Sequence, residues 1–381
     1  MQVQGYFDLQ FEPVREVFAE LFDGGKQRGA ALCVQIGGET VLDLWAGQAG
    51  RTEDQQWHTD TLVNLFSCTK TFTAVVALQL VAEGHLDLDK PLGHWWPEAA
   101  NRGKESVTLR QLLCHRAGLS AIRAPLPSAA LFDWSSMTHA LEQEQPWWVP
   151  NTQQGYAPMT YGWWVGELIR RVEGRGVGDV LKTRLVEPLG LDFHLGLPES
   201  ELSRVAHLTR GRNDFGDAAA QALMKAVQSD PHSLTALSFN NPPGLMNSAN
   251  SPEWQRAVLP AANGHGNARS LARFYMGLLQ GRLLDSALLS EMTREHSQGE
   301  DRTLLARTRF GLGCWLDQPI ENATFGMGPH CFGHPGAGGC LGFADPEREL
   351  SFGFVTNTLG PYVLMDPRAQ RLARIVKGCL G

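Results

Sequence analysis

Ser67 and Lys70 form a Ser-x-x-Lys motif at the start of a long apolar segment. Residues 72–82 of this segment include no charged residue. A helix that is apolar on every side is typically buried, and residues three apart lie on one face of a helix. Asn64 or Ser67 is expected to cap the start of this helix, and Gly84 to follow its end. The pattern therefore predicts a serine and a lysine side by side in the first turn of a buried helix.

Such a pair has the chemistry of an activated nucleophile. A serine hydroxyl attacks carbonyl groups when a base removes its proton, and a lysine amine is a base only when its pKa falls below the usual value of about 10.4. Burial and the positive end of a helix both lower the pKa of a lysine. The N–H groups at a helix start can also stabilise an oxyanion. Residues 67–70 could thus supply a nucleophile, a base and half of an oxyanion hole. The ordinary alternative is a capping serine beside a surface lysine.

Three other segments could contribute to a site. Tyr156, in the sequence Tyr-Ala-Pro, precedes a predicted helix, and a loop there can point a side chain into a cleft. Residues 112–119 are expected to end a short helix. The glycine-rich residues 333–339 are expected to begin a strand, where glycines let a ligand lie against the backbone. Taken singly, each segment also fits a structural role, such as a core tyrosine with a bonded hydroxyl.

Taken together, these segments resemble the serine β-lactamase and penicillin-binding-protein superfamily, and most closely the family VIII carboxylesterases of that fold. Residues 67–70 match its Ser-x-x-Lys motif. Tyr156-Ala157-Pro158 occupies the place of its Tyr-x-Asn motif, and His334-Pro335-Gly336 that of its Lys-Thr-Gly motif. Residues 112–119 and 263–274 also resemble segments found in this group. The likeness extends over about residues 31–357.

The resemblance implies a serine carboxylesterase that works through an acyl-enzyme. Ser67 would attack the ester carbonyl, while Lys70 and Tyr156 share the proton transfers; which of the two is the base in each half-reaction is left open. The oxyanion would lie between the N–H groups of Ser67 and Ala337. His334 and Gly336 would line the substrate site. The reaction requires no cofactor, and the twelve histidines show no metal-ligand spacing, so no metal site is expected.

Departures from the family pattern carry information about the substrate. Pro158 replaces the asparagine of Tyr-x-Asn, and His334 and Pro335 replace the lysine and threonine of Lys-Thr-Gly. The lysine and threonine normally meet the carboxylate of a β-lactam, whereas a histidine is mostly neutral at pH 7. We therefore expect hydrolysis of short-chain esters to exceed that of β-lactams.

Other functions remain open at this stage. A β-lactamase, a D-aminopeptidase or an acyltransferase could be built on the same fold. A non-catalytic sensor or scaffold protein could also reuse it, although the presence of Ser67, Lys70 and Tyr156 argues against that.

The elements that must position these residues can be placed from periodicity. Residues 31–36 and 40–45, separated by Gly37-Gly38, have the pattern of a β-hairpin. The remaining predicted strands are 309–316, 339–344 and 350–357. The remaining predicted helices are 12–22, 159–172, 268–279, 366–377 and a short helix that opens at residues 108–113 and closes at Gly118.

Strands at both chain ends with helices between them predict an α/β fold. By resemblance it is β-lactamase/DD-peptidase-like: an antiparallel sheet from both termini, flanked by helices, with an inserted and mainly helical lobe. Residues 1–66 and 300–381 would form the sheet lobe and residues 67–299 the helical lobe, with the active site in the cleft between them.

Composition narrows the class of partner. Lys and Arg total 33 against 40 Asp and Glu, a net charge of −7 that argues against nucleic acid. No apolar run reaches the roughly 18 residues of a membrane span, so no membrane association is expected. The first 22 residues lack a basic segment followed by an apolar one, and the seven cysteines are scattered. We therefore expect a cytoplasmic protein with reduced thiols, whose partner is a small-molecule ester.

Overall fold

A computed structural model describes residues 2–52, 54–211, 216–244 and 248–381 of the chain. Its strands are β1 (Gln4–Phe7), β2 (Gly29–Ile36), β3 (Glu39–Gly47), β4 (Val63–Asn64), β5 (Phe193–His194), β6 (Thr209–Arg210), β7 (His265–Gly266), β8 (Ser297–Glu300), β9 (Arg307–Phe310), β10 (Trp315–Leu316), β11 (Phe332–Pro335), β12 (Leu341–Asp345), β13 (Leu350–Thr356) and β14 (Thr358–Leu359).

The main sheet combines strands from both ends of the chain. Within the described residues it has nine strands in the order β1-β3-β2-β13-β12-β11-β10-β9-β8, and every neighbouring pair is antiparallel. The pairing of β2 with β13, from Ala30 opposite Thr356 to Ile36 opposite Leu350, joins the N-terminal hairpin to the C-terminal strands. This confirms the antiparallel sheet expected from both termini.

Helices cover both faces of the sheet. Along β2, Leu32 and Val34 face a core cluster shared with the first and last helices, whereas Ala31 and Cys33 face the larger cluster beneath the central helices. The helices are α1 (Glu12–Glu20), α2 (Thr69–Ala82), α3 (Leu109–Leu113), α4 (Trp134–Gln143), α5 (Thr160–Glu173), α6 (Val177–Leu181), α7 (Glu187–Leu189), α8 (Ala218–Ser229), α9 (Leu234–Asn240), α10 (Pro252–Arg256), α11 (Ala268–Leu279), α12 (Ser286–Thr293) and α13 (Pro367–Gly378).

The terminal helices α1 and α13 pack against each other on one face, and α11 packs on the other face against β2, β12 and β13. Helices α2 to α12 all lie between β3 and β8 in the chain. The division into a sheet lobe (1–66 and 300–381) and a helical lobe (67–299) stays a prediction; β8 crosses its boundary at residue 300.

In the described part of the chain, no helix is long and apolar enough to cross a bilayer.

Several local predictions are confirmed and others are wrong. The hairpin turn lies at Gly37 and Gly38, both with positive φ, and Asp366 caps α13 by accepting a hydrogen bond from the N–H of Arg368. The predicted strand 309–316 is instead two strands, β9 and β10, because the chain turns between them and the N–H of Gly311 bonds to the carbonyl of Cys314.

Candidate active site

Helix α2 forms the buried centre of the molecule, as its apolar sequence predicts. Its side chains from Thr69 to Leu78 are all buried, and Gly84, with φ of 77°, follows its end. The start of the helix differs from the prediction. Ser67 lies in a 3₁₀ turn, residues 66–68, that directly precedes α2, and neither Ser67 nor Asn64 caps the helix. The side chain of Asn64 instead bonds to Ala262 and Trp254.

Among the described residues, Lys70 is the only lysine whose amino group lies against the Ser67 side chain. Its Nζ lies 3.2 Å from Ser67 Oγ, and it donates to the backbone carbonyls of Pro158 at 2.8 Å and Ala261 at 2.9 Å. The side chain is fully buried. Burial lowers the pKa of Lys70 well below its ordinary value, and no carboxylate is among the groups that oppose this shift. The structure thus places the Ser67 hydroxyl next to an amine whose neutral form is favoured by burial.

Tyr156 joins the pair from the loop before α5. Its hydroxyl shares a hydrogen bond with the Ser67 side chain, and Lys70 Nζ lies 4.8 Å from its ring centre. Burial raises the pKa of Tyr156, so the phenol keeps its proton at neutral pH. The structure therefore brings together Ser67, Lys70 and Tyr156, the three residues that the sequence singled out.

Asp301 holds the backbone of Tyr156 and was missed by the sequence analysis. Its two carboxylate oxygens accept hydrogen bonds from the N–H of Tyr156 at 3.0 and 2.9 Å, and they also accept from the N–H groups of Thr303 and Leu304 and from the hydroxyl of Thr308. Asp301 is buried, and burial raises the pKa of its carboxyl group. Nothing in the local sequence marks it, because its partner lies 145 positions away.

Two buried histidines flank Tyr156. The ring of His115 lies 4.7 Å from the Tyr156 ring, centre to centre, and its Nδ1 accepts a hydrogen bond from the N–H of Ala157. His334 Nδ1 lies 2.7 Å from the carbonyl of Pro335; because a carbonyl only accepts, this nitrogen carries the proton. Burial, together with the nearby Lys70, lowers the pKa of His334 to about 3. His334 is therefore neutral at pH 7, as the sequence predicts.

Residues 336–339 lie against the start of the nucleophile helix. The prediction that residues 333–339 begin a strand is wrong: they end β11 and form the turn into β12. The thiol of Cys68 donates to the carbonyl of His334, and a Cβ atom on Gly336 would lie only 2.4 Å from the carbonyl oxygen of Leu65. Only glycine permits this approach, which places Ala337 beside Ser67 at the edge of one cleft.

The cleft above Ser67 has a volume of about 380 Å³. Its floor is built from Ser67, Tyr156, His334 and Ala337, and apolar side chains form its walls. No charged side chain lines it among the described residues. The apolar wall residues are Phe66, Pro158, Met159, Ala220, Leu223, Met224, Val227, Phe239, Ala262, Leu304, Trp315, Pro335, Pro361, Val363 and Leu364.

No group of three His, Cys, Asp or Glu side chains is placed to hold a metal ion in the parts of the chain that the structure describes.

Comparison with known proteins identifies the family. The sequence profile of the family described as Beta-lactamase matches residues 14–377, almost the whole chain. The chain belongs to the β-lactamase family. Its sequence is 33% identical over 377 residues to the esterase/beta-lactamase LipL of Mycobacterium tuberculosis, which covers 96% of this chain and 85% of LipL.

Solved structures of this family share the fold over their full length. A crystal structure of a penicillin-binding-protein homologue from Caulobacter crescentus is 35% identical and superposes with a TM-score of 0.89, covering 100% of both chains. A crystal structure of a family VIII carboxylesterase is 33% identical, with the same TM-score and coverage. The predicted superfamily and the β-lactamase-like fold are therefore confirmed, and the protein is a serine hydrolase of the β-lactamase family with esterases among its relatives.

Proposed function

We propose that this β-lactamase-family hydrolase is a carboxylesterase that hydrolyses short-chain carboxylic esters through an acyl-enzyme on Ser67. The observation that carries the proposal is the placement of Lys70. Its fully buried amine lies 3.2 Å from the Ser67 hydroxyl and has no carboxylate partner among the described residues. Ser67 itself lines a cleft to which the described residues bring no charged side chain. A desolvated lysine of this kind is an effective base for a serine hydroxyl.

The hydrogen bonds of Lys70 favour it as the base during acylation. A neutral amine has two N–H groups and one lone pair. The carbonyls of Pro158 and Ala261 can only accept, so they take both N–H groups. The lone pair is then left for the third partner, the hydroxyl of Ser67. This arrangement supports removal of the Ser67 proton by Lys70.

Tyr156 is suited to the second proton transfer. Because burial raises its pKa, Tyr156 acts as a phenol that donates to the departing alcohol oxygen. In acylation, Ser67 Oγ bonds to the carbonyl carbon and Lys70 takes its proton. The bond from that carbon to the alcohol oxygen breaks as Tyr156 protonates this oxygen, and Lys70 returns a proton to Tyr156. Water then attacks the acyl-enzyme through the reverse proton path, which releases the carboxylic acid and restores the Ser67 hydroxyl.

The oxyanion would be bound by two backbone N–H groups. Those of Ser67 and Ala337 border the cleft, and neither donates a hydrogen bond to another group in the described residues. Free donors fixed beside a nucleophile stabilise a tetrahedral oxyanion without reorganisation. Gly336 supports this role because its close approach to Leu65 fixes the turn against the helix start.

A β-lactamase activity is the second candidate, since the name of the relative LipL includes it. Two observations favour esters. Neutral His334 cannot supply the cation that meets a β-lactam carboxylate, and Pro158 offers no side-chain amide. A hydrogen bond to a charged group contributes about 1.5–3 kcal/mol, so its loss corresponds to roughly ten- to a hundredfold in rate.

The test is to compare kcat/KM for p-nitrophenyl butyrate with that for nitrocefin on one preparation, with Ser67→Ala as the control. We expect the ester value to be larger by at least about tenfold, and the variant to lose both activities. A nitrocefin value equal to or above the ester value would identify a β-lactamase instead.

A further inference from the structure

Helix α8 places an apolar stripe over the cleft. Ala220, Leu223, Met224 and Val227 all line the cleft, and their spacing puts them on one face of the helix. Only Ala220 of this helix is buried, and Met224 is 52% exposed. Leu223 and Val227 are partly buried, so the stripe keeps some apolar surface that borders the cleft instead of lying wholly within the core.

The helix is held in place from its polar end. Asp217 caps it by accepting a hydrogen bond from the N–H of Ala220, and the side-chain amide of Asn322 donates to the same carboxylate at 2.8 Å. Within the described residues it lies next to α9, whose Phe239 lines the same cleft. The stripe is thus held beside the cleft by contacts within the chain.

The other residues that line the cleft are also mostly apolar. They include Pro361, Val363 and Leu364 near the C-terminus, together with Leu304 and Trp315. The cleft volume of about 380 Å³ lies within the range of roughly 300–1,000 Å³ typical of pockets for drug-sized ligands, far more than an acetyl group fills. Since the described residues bring no charged side chain to this lining, a carboxylate or ammonium group here would lose its hydration and gain no partner from them.

We propose that the preferred substrates are uncharged esters that carry an apolar group of about six carbons or more, seated against the α8 stripe and residues 361–364. The proposal extends the esterase function above, on which it rests, from short-chain esters to a class defined by an apolar, uncharged group beside the scissile bond. Leu223, Met224 and Val227 are then residues that determine specificity. The same group can belong to the acyl or to the alcohol part of the ester.

Chain-length series on the wild-type protein test this directly. Each methylene that leaves water is worth up to about fourfold in kcat/KM, and less in a cleft open to solvent. We expect p-nitrophenyl hexanoate to exceed p-nitrophenyl acetate by at least about tenfold, or hexyl acetate to exceed ethyl acetate by the same factor; the series that rises identifies the part of the ester in the cleft. If the acyl series rises, the mono-p-nitrophenyl ester of adipic acid, in which a carboxylate replaces the terminal methyl group of the hexanoyl chain, should fall back at least to the acetate value.

Variants of α8 link the preference to the stripe. The double variant Leu223→Gln/Met224→Gln makes the stripe polar, while glutamine remains a good helix former. It should lower the ratio of kcat/KM for the hexanoate to kcat/KM for the acetate, or the corresponding ratio in the alcohol series, by at least about fivefold. Ala222→Gln, on the exposed side of the same helix, is the matched control and should keep the wild-type ratio.

Two results would overturn the proposal: a wild-type enzyme that hydrolyses acetate esters but gains nothing from longer chains in either series, or an unchanged ratio in the double variant. The wild-type series decides even if the double variant does not fold. If the esterase proposal itself is wrong, no ester of either series will be hydrolysed, and this result distinguishes that failure from the two above.

Discussion

At the scale of single residues, the site contains a buried lysine that has no carboxylate partner among the described residues. Burying an amine costs least when the amine is neutral, so burial favours the protonation state that a base requires. The carbonyls of Pro158 and Ala261 hold the amine beside Ser67. In the proposed mechanism, these residues from three distant segments form one proton path with Tyr156.

Lys70 and Tyr156 are predicted to act as a unit. Lys70→Ala and Tyr156→Phe should each lower kcat for p-nitrophenyl butyrate by at least about a hundredfold, the low end for acid–base catalysis. Groups on one proton path are strongly non-additive, so the double variant should be little slower than either single variant. Steady-state kinetics on all three variants measure this. Near-normal activity of Tyr156→Phe would move the role to another group, such as Tyr161.

Asp301 is predicted to be a positioning residue that acts through Tyr156. In Asp301→Asn, one carboxylate oxygen becomes an NH₂ group, which faces N–H donors and cannot accept from them. We expect kcat to fall about tenfold or more with little change in KM, and the free energy of unfolding to fall by about 1–3 kcal/mol. In the Tyr156→Phe background the same change should add almost no further loss of kcat.

Asp317→Asn is the matched control, because Asp317 is also a buried carboxylate that accepts from a backbone N–H, that of Phe325, yet does not line the cleft. It should destabilise the protein without changing kcat. The contradicting result is a fall in kcat from Asp301→Asn that is equally large in the Tyr156→Phe background and in the wild type. It would show that Asp301 does not act through Tyr156.

At the scale of elements, the decisive contact joins the 3₁₀ turn at Ser67 to the turn between β11 and β12. Gly336→Ala would place a methyl group 2.4 Å from the backbone oxygen of Leu65, and a backbone atom cannot move aside cheaply. The two turns must then separate, and with them the N–H groups of Ser67 and Ala337. Loss of one oxyanion donor costs about 10²–10³ in kcat, so we expect a fall of at least tenfold.

The control for this change is Gly378→Ala, at the end of α13, where an added Cβ meets nothing within 4 Å. Its kinetics should match the wild type. Equal activity of the two glycine variants would contradict the role assigned to the turn.

An element can be predicted from the sequence when the signals that specify it lie within its own residues. The hairpin β2–β3 and the helices α2, α11 and α13 carry periodicity or end signals within their own residues. Strands such as β8 and β11, of four residues each, carry too little pattern and are specified by their partners in the sheet. Helix α8 did have a local signal, the cap at Asp217 before an alanine-rich segment, which the sequence analysis did not use.

At the scale of the whole molecule, Ser67 and Lys70 differ from the walls of the cleft in how far apart their residues lie in the sequence. Ser67 and Lys70 are local in sequence, so their chemistry could be predicted from a four-residue motif. The walls of the cleft come from α8, from residues near 304 and 315 and from residues 361–364, which only the closed fold brings together. Asp301 and the two carbonyls that hold Lys70 were hidden for the same reason. The sequence therefore predicts the reaction better than it predicts the substrate.

The measurement that tests the central claim most directly is covalent labelling by a fluorophosphonate probe, followed by intact mass spectrometry and peptide mapping. The account predicts one adduct per chain, on the peptide that contains Ser67, and none in Ser67→Ala. Lys70→Ala should label far more slowly than the wild type, because the hydroxyl then lacks its base. An adduct on Ser120 or Ser248, or undiminished labelling of Ser67→Ala, would contradict the assignment of Ser67 as the nucleophile.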